Sequence, residues 1–538
     1  MNRQRYRLVF SQNVGGLVPA AENTRGRGKA ASGAGRARGA TVMLGVLLLA
    51  APALADVPVP RASNFVTAGQ AGYRVNGNQA FINQVGNKAI LNWQQFNVGA
   101  GKTVQFGQVN DLVNNQLVQG ASFTTLNRIW DLNPSVIAGS ITQAPGQKAN
   151  VILVNTNGIA FMGGSQVNLA SFTASTLNMA DKYILNGLLG DNANPQFEKA
   201  LDGTEARGFI QVFEGAKISA GSQGRVMLIA PTVVNAGSIE APDGQVILAA
   251  GTRAFLRSDD SADLSVRGLL VEVDSSADAS QLGHATNTGA IAAARGNVTM
   301  VGYAVNQMGL ARATSSVVAN GSVYLMAKDT SVLPPGQGTV RTSTRAGEVV
   351  LGTGSRTEVL VDQDTTTTTD AQDAQGNYLP GLAQASQVRV LGQKVYLADG
   401  STIKAPSGDV RVVAVDDPQS LTTLGQLPDG IAPSTTARLH MARGAVIDVA
   451  GISGAQVSAG RNTLEVELRG DELKDSPVNQ SGPLRGEKVY VDIEQALANA
   501  DAGKKTLIAE DSLKAYRGRL ERGAEERSTQ GGQVGLQS

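Results

Sequence analysis

The phrase Gly-x-Val-x-Leu recurs through this chain and limits what it can fold into. It stands at Gly224-Arg-Val226-Met-Leu228, Gly244-Gln-Val246-Ile-Leu248, Gly321-Ser-Val323-Tyr-Leu325 and Gly347-Glu-Val349-Val-Leu351, with a fifth copy at Gly532-Gln-Val534-Gly-Leu536. Near-copies are Gly296-Asn-Val298-Thr-Met300 and Gly408-Asp-Val410-Arg-Val412. Alternation of this kind is a short strand with one buried face. A second phrase lies between copies: Asn235-Ala-Gly237-Ser-Ile239-Glu-Ala241-Pro242-Asp-Gly244, echoed by Gly400-Ser-Thr-Ile403-Lys-Ala405-Pro406-Ser-Gly408, with a third relative at Asn287-Thr-Gly289-Ala-Ile291. Its Asn, Gly and Pro residues supply the left-handed and turn conformations that let the chain corner. Strand, corner and strand at a period of about 20 to 26 residues predict an all-β, right-handed parallel β-helix with extruded loops. With strands about 4.8 Å apart, some twenty coils would make a rod on the order of 100 Å long.

Composition agrees with a narrow stacked core. Aromatics are only 4% of the chain, while Gly accounts for 63 residues. A large globular core would use more Phe, Tyr and Trp. Cysteine is absent, so the fold uses no covalent staples even where they could form.

Residues 1–55 read as a leader, expected to be disordered or helical. They carry eight bases and one acid, Glu22, then an apolar run Thr41–Ala50 and the small-x-small site Ala53-Leu54-Ala55. These are the parts of a cleavable export signal. The apolar run is too short to span a bilayer. Cleavage after Ala55 makes Asp56 the mature N-terminus. The leader holds +7 of the formal +1, which leaves −6 for the mature chain. That balance removes the electrostatic case for nucleic acid. The leader's length before the apolar run resembles the extended signal region of very large exported proteins.

Behind the leader come Trp93-Gln-Gln-Phe96-Asn97-Val98-Gly99, Val104-Gln105-Phe106, Leu126-Asn127-Arg128-Ile129, Pro134-Ser-Val136-Ile137-Ala-Gly139-Ser-Ile141, Asn155-Thr156-Asn157-Gly158-Ile159 and Ala174-Ser175-Thr176-Leu177. In this order the set resembles the secretion domain of filamentous haemagglutinin-type exoproteins, the exported partners of two-partner secretion systems. The resemblance implies a secretion domain over 56–300 and a solenoid shaft over 301–492, with loops at 362–385 and 416–436. It also implies export through an outer-membrane β-barrel transporter whose periplasmic POTRA-type modules accept extended chain. The Sec translocon and signal peptidase act before it, and a receptor on a host or neighbouring cell after it. Asn127, Arg128 and Asn155 to Ile159 would then carry recognition and early folding. The family signature Asn-Pro-Asn-Gly has Thr156 in place of Pro here. That is a mild change, because Asn157 and Gly158 still tolerate positive φ.

Residues 181–207 are expected as a further excursion, and 493–538 as a helical excursion around Asp511–Arg517 followed by the start of a coil. Because a solenoid needs a polar cap and nothing after Leu536 could serve as one, the chain is read as the N-terminal piece of a longer protein. No enzyme chemistry is expected. His284 and His440 are the only histidines, neither in a nucleophile motif. Asp259, Asp260, Asp263, Asp362 and Asp364 read as solvated loop acids, so no metal or cofactor is expected. Arg469-Gly470-Asp471 adjoins an alternating strand, Leu464–Leu468, and is read as a chance match to the integrin-binding triplet. The function expected is that of a secreted or surface adhesin-like exoprotein. The rivals are the shaft of a contact-dependent toxin or haemolysin, and a β-helix polysaccharide-cleaving enzyme.

Overall fold

The computed structural model describes residues 6–11, 16–21, 56–189, 194–258, 268–275, 282–316, 320–333, 341–362, 385–418, 436–456, 458–520 and 523–538. The leader and residues 55–538 are separate compact units. In the leader, expected to be helical or disordered, Tyr6–Ser11 and Gly16–Ala21 pair as an antiparallel hairpin. Their β-branched and aromatic content suits strands. The cleavage residues Ala53 and Ala55 lie outside the described residues, as do most of the loops expected at 362–385 and 416–436.

The mature chain winds as a three-faced parallel β-helix, and each turn visits faces A, B and C in order. Gln79–Gln95 opens the helix by bending across two faces. Its first half pairs with Thr103–Val109 on face C, and its second half with Ser122–Ile129 on face A. From there each strand bonds in register to its counterpart one turn later. Face A aligns Val226, Val246, Val298, Val323, Val388, Val410 and Val534. Face C aligns Ile141, Val167, Ile218, Ile239 and Ile291. These inward positions form one continuous core and are fully buried, apart from Val534 on the last strand. A side chain therefore rests on its own kind one rung away, which is what the Val and Ile phrases encode.

Two expectations need correction. The copy at Gly347–Leu351 lies on face B, where Val349 aligns with Val305 and Val395. Alternation does not record which face a strand joins. Among the described residues face A holds ten strands after the opening one, about half the twenty coils inferred from the period, because excursions take up much of the chain between them.

Those excursions leave at only two corners. Between faces A and B the chain departs after Ser175, Ala250, Val332 and Ala414, and between C and A after Val361 and Asp448. The B-to-C corner stays short throughout. Its inner positions are small: Gly139, Ser165, Ala216, Gly237, Gly289, Gly309, Ser355 and Ser401 pass the rung hydrogen bonds along. Buried amides stack beside it, with Asn235 Nδ2 donating to Asn287 Oδ1 (2.8 Å) and Asn287 Nδ2 to Gln307 Oε1 (2.7 Å). An amide both donates and accepts, so a column of them satisfies itself inside the core.

Glycine in the Gly-x-Val-x-Leu phrase answers to steric approach and not, as read above, to left-handed backbone. A Cβ on Gly244 would lie 1.8 Å from the Gly224 carbonyl oxygen, and one on Gly296 would lie 2.1 Å from that of Gly244. The left-handed residue is the one before: Gln223 (φ +64°), Asp243 (+55°), Arg295 (+53°) and Ser407 (+55°). Asp243 and Arg295 also pair across the corner at 2.5 Å, and the Arg295 guanidinium reaches Asp362 at 2.5 Å. These two contacts hold the Arg295 pKa above its ordinary value.

Excursions from the A-to-B corner fold back over face A. Outward Ile152, Met227 and Ile247 pack beneath Met179, Tyr183, Phe197, Leu256 and Val271. The shaft expected to run to residue 492 has its last face C strand at Val446–Asp448. A separate module follows, with the antiparallel hairpin Thr463–Glu467 and Lys488–Asp492 and the helices Ile493–Asp501 and Glu510–Arg517. It has its own core of Val466, Leu468, Leu473, Ile493, Leu497 and Leu513. Period-two alternation at 464–468 cannot tell an antiparallel hairpin from a solenoid strand. The chain then returns to face A, where Gln533–Gln537 pairs with Asp409–Ala414.

Gly244→Ala is expected to destabilise the mature chain by about 3 kcal/mol or more, since backbone must move to admit the methyl. Gln223→Gly relieves a left-handed residue and is expected to stabilise by up to about 1 kcal/mol. Denaturant melts read both, and effects of the same sign would refute the division of labour between the two positions.

Candidate secretion-motif site

The motif residues gather in the first turns of the helix, beneath an N-terminal cap. The cap is built from Val59–Pro60 and Val66–Asn76, both antiparallel to Gln79–Gln95. Trp93 is fully buried at its centre, with Phe65, Tyr73 and Phe96 set edge-on at ring distances of 5.0, 5.3 and 5.3 Å. Edge-to-face contacts at this range add to the burial energy of the rings. The Tyr73 hydroxyl donates to the Pro58 carbonyl, and burial pushes its pKa up to about 12.

Asn127 makes the Trp93 position possible. Its Oδ1 accepts from Trp93 Nε1 at 3.0 Å, while its Nδ2 reaches the Ile152 carbonyl oxygen at 3.2 Å. One buried amide thus ties three successive turns together. A second pair runs in the opposite sense. Trp130 Nε1 donates to Asn92 Oδ1 at 2.9 Å, and Asn92 Nδ2 donates to Thr67 Oγ1 and the Asn64 carbonyl in the cap. The chain's two tryptophans are therefore bonded crosswise to asparagines on neighbouring strands. Sequence reasoning singled out Trp93 and Asn127 but missed Asn92 and Trp130. The available signal was that both tryptophans follow an asparagine by one or three positions.

Arg128 points outward, next to inward Asn127. Its Nε donates to Asn178 Oδ1 (3.1 Å), and its Nη2 reaches the Met179 carbonyl (2.6 Å) and Asp181 Oδ1 (2.6 Å). Asn178 to Asp181 begin the first excursion, so the Asn-Arg pair joins the core lock to the outer layer.

Asn155 to Ile159 form the A-to-B corner one turn later. Gly158 N donates to the Asn155 carbonyl at 3.1 Å, closing a β-turn, and Asn157 N donates to Asn155 Oδ1 at 3.0 Å. Asn155 Nδ2 crosses to Ser135 Oγ (2.9 Å) and the Asn133 carbonyl (3.1 Å) of the preceding corner. Asn157 Nδ2 bonds the Asp131 carbonyl (2.7 Å). Gly158 has φ +128°, a conformation that requires glycine. Ile159 turns inward, fully buried and aligned with Ile210. Thr156 sits at the second turn position, and its amide donates no bond among the described residues. Proline would fit there.

The remaining sequence candidates lie elsewhere. His284 and His440 both stand on the outside of face B, four rungs apart, which is about 19 Å at the strand spacing. Burial lowers the His284 pKa, and the His440 ring stacks on Tyr396 at 4.9 Å. Asp362 is taken by Arg295, and Asp259, Asp260, Asp263 and Asp364 lie outside the described residues. Among the described residues no three His, Asp or Glu cluster as metal ligands. Arg469-Gly470-Asp471 occupies an exposed turn just after the hairpin strand it adjoins, with Arg469 paired to Glu467 at 2.8 Å.

The capped first turns and much of the ladder they feed lie within residues that a known family matches. The TPS secretion domain family matches residues 60–342, and the Extended Signal Peptide of Type V secretion system matches residues 1–51. The chain belongs to the two-partner secretion exoproteins. It is similar to a heme/hemopexin-binding protein of Haemophilus influenzae, at 29% identity over 40% of this chain and 22% of that one. It is also similar to the filamentous hemagglutinin of Bordetella pertussis, at 34% identity over 33% of this chain and 6% of that one. The chain thus spans less than a quarter of either relative. The crystal structure of the HMW1 secretion domain from Haemophilus influenzae shares the fold. Its TM-score is 0.50 at 23% identity, covering 72% of this chain and 83% of that one. The two-partner exoprotein is exported across the cell envelope, with an outer-membrane transporter as its partner, and is secreted or displayed at the surface.

Asn127→Ala strands the buried Trp93 indole N–H and is expected to cost about 1–3 kcal/mol, with a red shift in tryptophan fluorescence before the main transition. Thr156→Pro is expected to raise stability by about 0.4–1 kcal/mol, by restricting the unfolded chain at a turn that already suits proline. A thermal melt in which Thr156→Pro destabilises would show that its amide is needed.

Proposed function

We propose that the capped first turns are the transport-initiating element of an adhesin-like exoprotein. The observation that carries this reading is the crossed Trp93–Asn127 and Trp130–Asn92 lock. It is completed by residues 59–152, the first part of the mature chain to emerge from a transporter. The Sec translocon and signal peptidase deliver the chain to the periplasm unfolded, with Asp56 leading. POTRA-type modules of the transporter hold extended segments as added strands through main-chain hydrogen bonds. Outside the cell, the lock closes as soon as Asn127 and Trp130 arrive. Each later turn then has a finished edge to pair with. Every rung buries several inward Val, Ile or Leu side chains, each worth about 1.5–3 kcal/mol before chain entropy is counted. That gain biases movement outward without ATP.

The role is one of attachment and not of catalysis. Support comes from the separation of His284 and His440. It also comes from a shaft whose outward positions are occupied by paired charges and folded excursions. A cell-surface receptor is the partner of the displayed chain.

Co-expression with the cognate transporter tests the reading. Asn127→Ala and Asn155→Ala are expected to leave most of the chain in the periplasm, whereas Ser401→Ala in a late corner is expected to be secreted like the wild type. Normal secretion after deletion of residues 56–177 would overturn it.

A further inference from the structure

The seam where the hairpin-and-helix module rejoins the shaft encloses a polar cavity. Its volume is about 200 Å³, several times the roughly 30 Å³ that one liquid water occupies. One wall belongs to the shaft: Ser315 at the end of a face C strand, Asn320, and Ser386 just before a face A strand. The other belongs to the returning chain, with Arg527, Ser528 and Gln530. No Asp or Glu lines it among the described residues.

The buried groups have hydrogen-bonding capacity to spare. Ser315 Oγ accepts from Gly321 N at 2.6 Å and lies 2.7 Å from Ser386 Oγ. That hydroxyl pair uses one of its two hydrogens internally, which leaves the other to donate. Asn320 is 9% exposed, and its side-chain amide has no hydrogen-bond partner among the described residues. Arg527 brings a guanidinium whose pKa burial holds below its ordinary value. The lining thus offers hydroxyl, amide and guanidinium donors and no carboxylate, a composition that suits an oxyanion.

We infer that the cavity binds a phosphate or sulfate group, and that the bound group clasps the returning chain to the shaft. A tetrahedral oxyanion has acceptors on every side, so it takes hydrogens from both walls at once. A planar carboxylate presents both oxygens on one edge and reaches one wall. The seam it would fasten is otherwise held by few bonds. Ser407 Oγ donates to the Gln530 carbonyl, and Gly532 N donates to the Val449 carbonyl at 2.8 Å. The last face A strand, Gln533–Gln537, follows directly. The clasp goes beyond the transport reading, since it acts where the ladder resumes and not in the first turns.

Hydrogen exchange on the full mature chain (residues 56–538) tests the site. Sulfate or inorganic phosphate replaces chloride at constant ionic strength, which holds general screening fixed. At roughly ten times the anion's Kd, exchange at amides 524–534 is expected to slow about tenfold, while Gln166–Leu169 is unchanged. Arg527→Gln is expected to remove this protection. Arg527→Lys is expected to keep part of it, because a point charge replaces a two-pronged donor. Circular dichroism shows whether the variants fold, and the wild-type series stands without them. Glucose 6-phosphate protecting as well as inorganic phosphate supports the site and shows that the group can be borne on a sugar. Protection by the inorganic anions alone supports it for the free ion. Protection no greater than in chloride means that the cavity holds water only and overturns the inference. Protection that survives in Arg527→Gln, or that acetate matches, overturns it as well.

Discussion

Main-chain hydrogen bonding between successive turns sets the spacing of this molecule, and that spacing dictates nearly every other choice. At about 4.8 Å per rung, an inward side chain has its own counterpart above and below it, so the core grows by repetition. Val226 to Val534 on face A is one such column. Polar residues obey the same rule. Asn235, Asn287 and Gln307 are tolerated inside because an amide can bond an amide one rung away. The corners obey it most strictly, since two backbones meet there. The contact between Gly244 and Gly224 leaves no room for a Cβ.

A fixed rung also decides where the chain may depart. The B-to-C corner is lined by small residues that hand the ladder across, and the chain never leaves there. The other two corners release the excursions. Those from the A-to-B corner return to cover the apolar outside of face A, so their hydrophobic content is a second core laid over the first. Gln196 fastens that layer, accepting from Leu256 N at 2.7 Å and donating to its carbonyl at 3.1 Å.

The architecture was legible wherever residues repeat. The Val columns, the tight corner after Asn235 and Asn287, and the turn at Asn155–Gly158 follow from phrases visible in the sequence. What escaped has a common cause: a one-dimensional period records spacing, not identity of face or partner. Gly347–Leu351 looks like a face A phrase but occupies face B. Leu464–Leu468 alternates like a shaft strand but belongs to a hairpin with a core of its own. The glycines looked like carriers of positive φ, yet Gln223 and Asp243 carry it. The Asn92–Trp130 bond joins single, non-repeating residues, so no period could reveal it.

The order of contacts along the chain gives these features a direction. Trp93 meets Asn127, and Trp130 meets Asn92, fewer than forty residues apart. Most later rungs pair with the turn just made. A structure whose contacts are this local can be built from one end, because no rung waits for sequence not yet delivered. The exception is the return to face A at Gln533–Gln537, which must wait for the intervening module. That module has a separate core, and its ends meet where Ile452 N donates to the Ser528 carbonyl at 2.6 Å. It can therefore fold by itself and let the ladder resume. A chain passed outward from its N-terminus needs this arrangement: a lock that closes early, rungs that need only the previous rung, and interruptions that complete themselves.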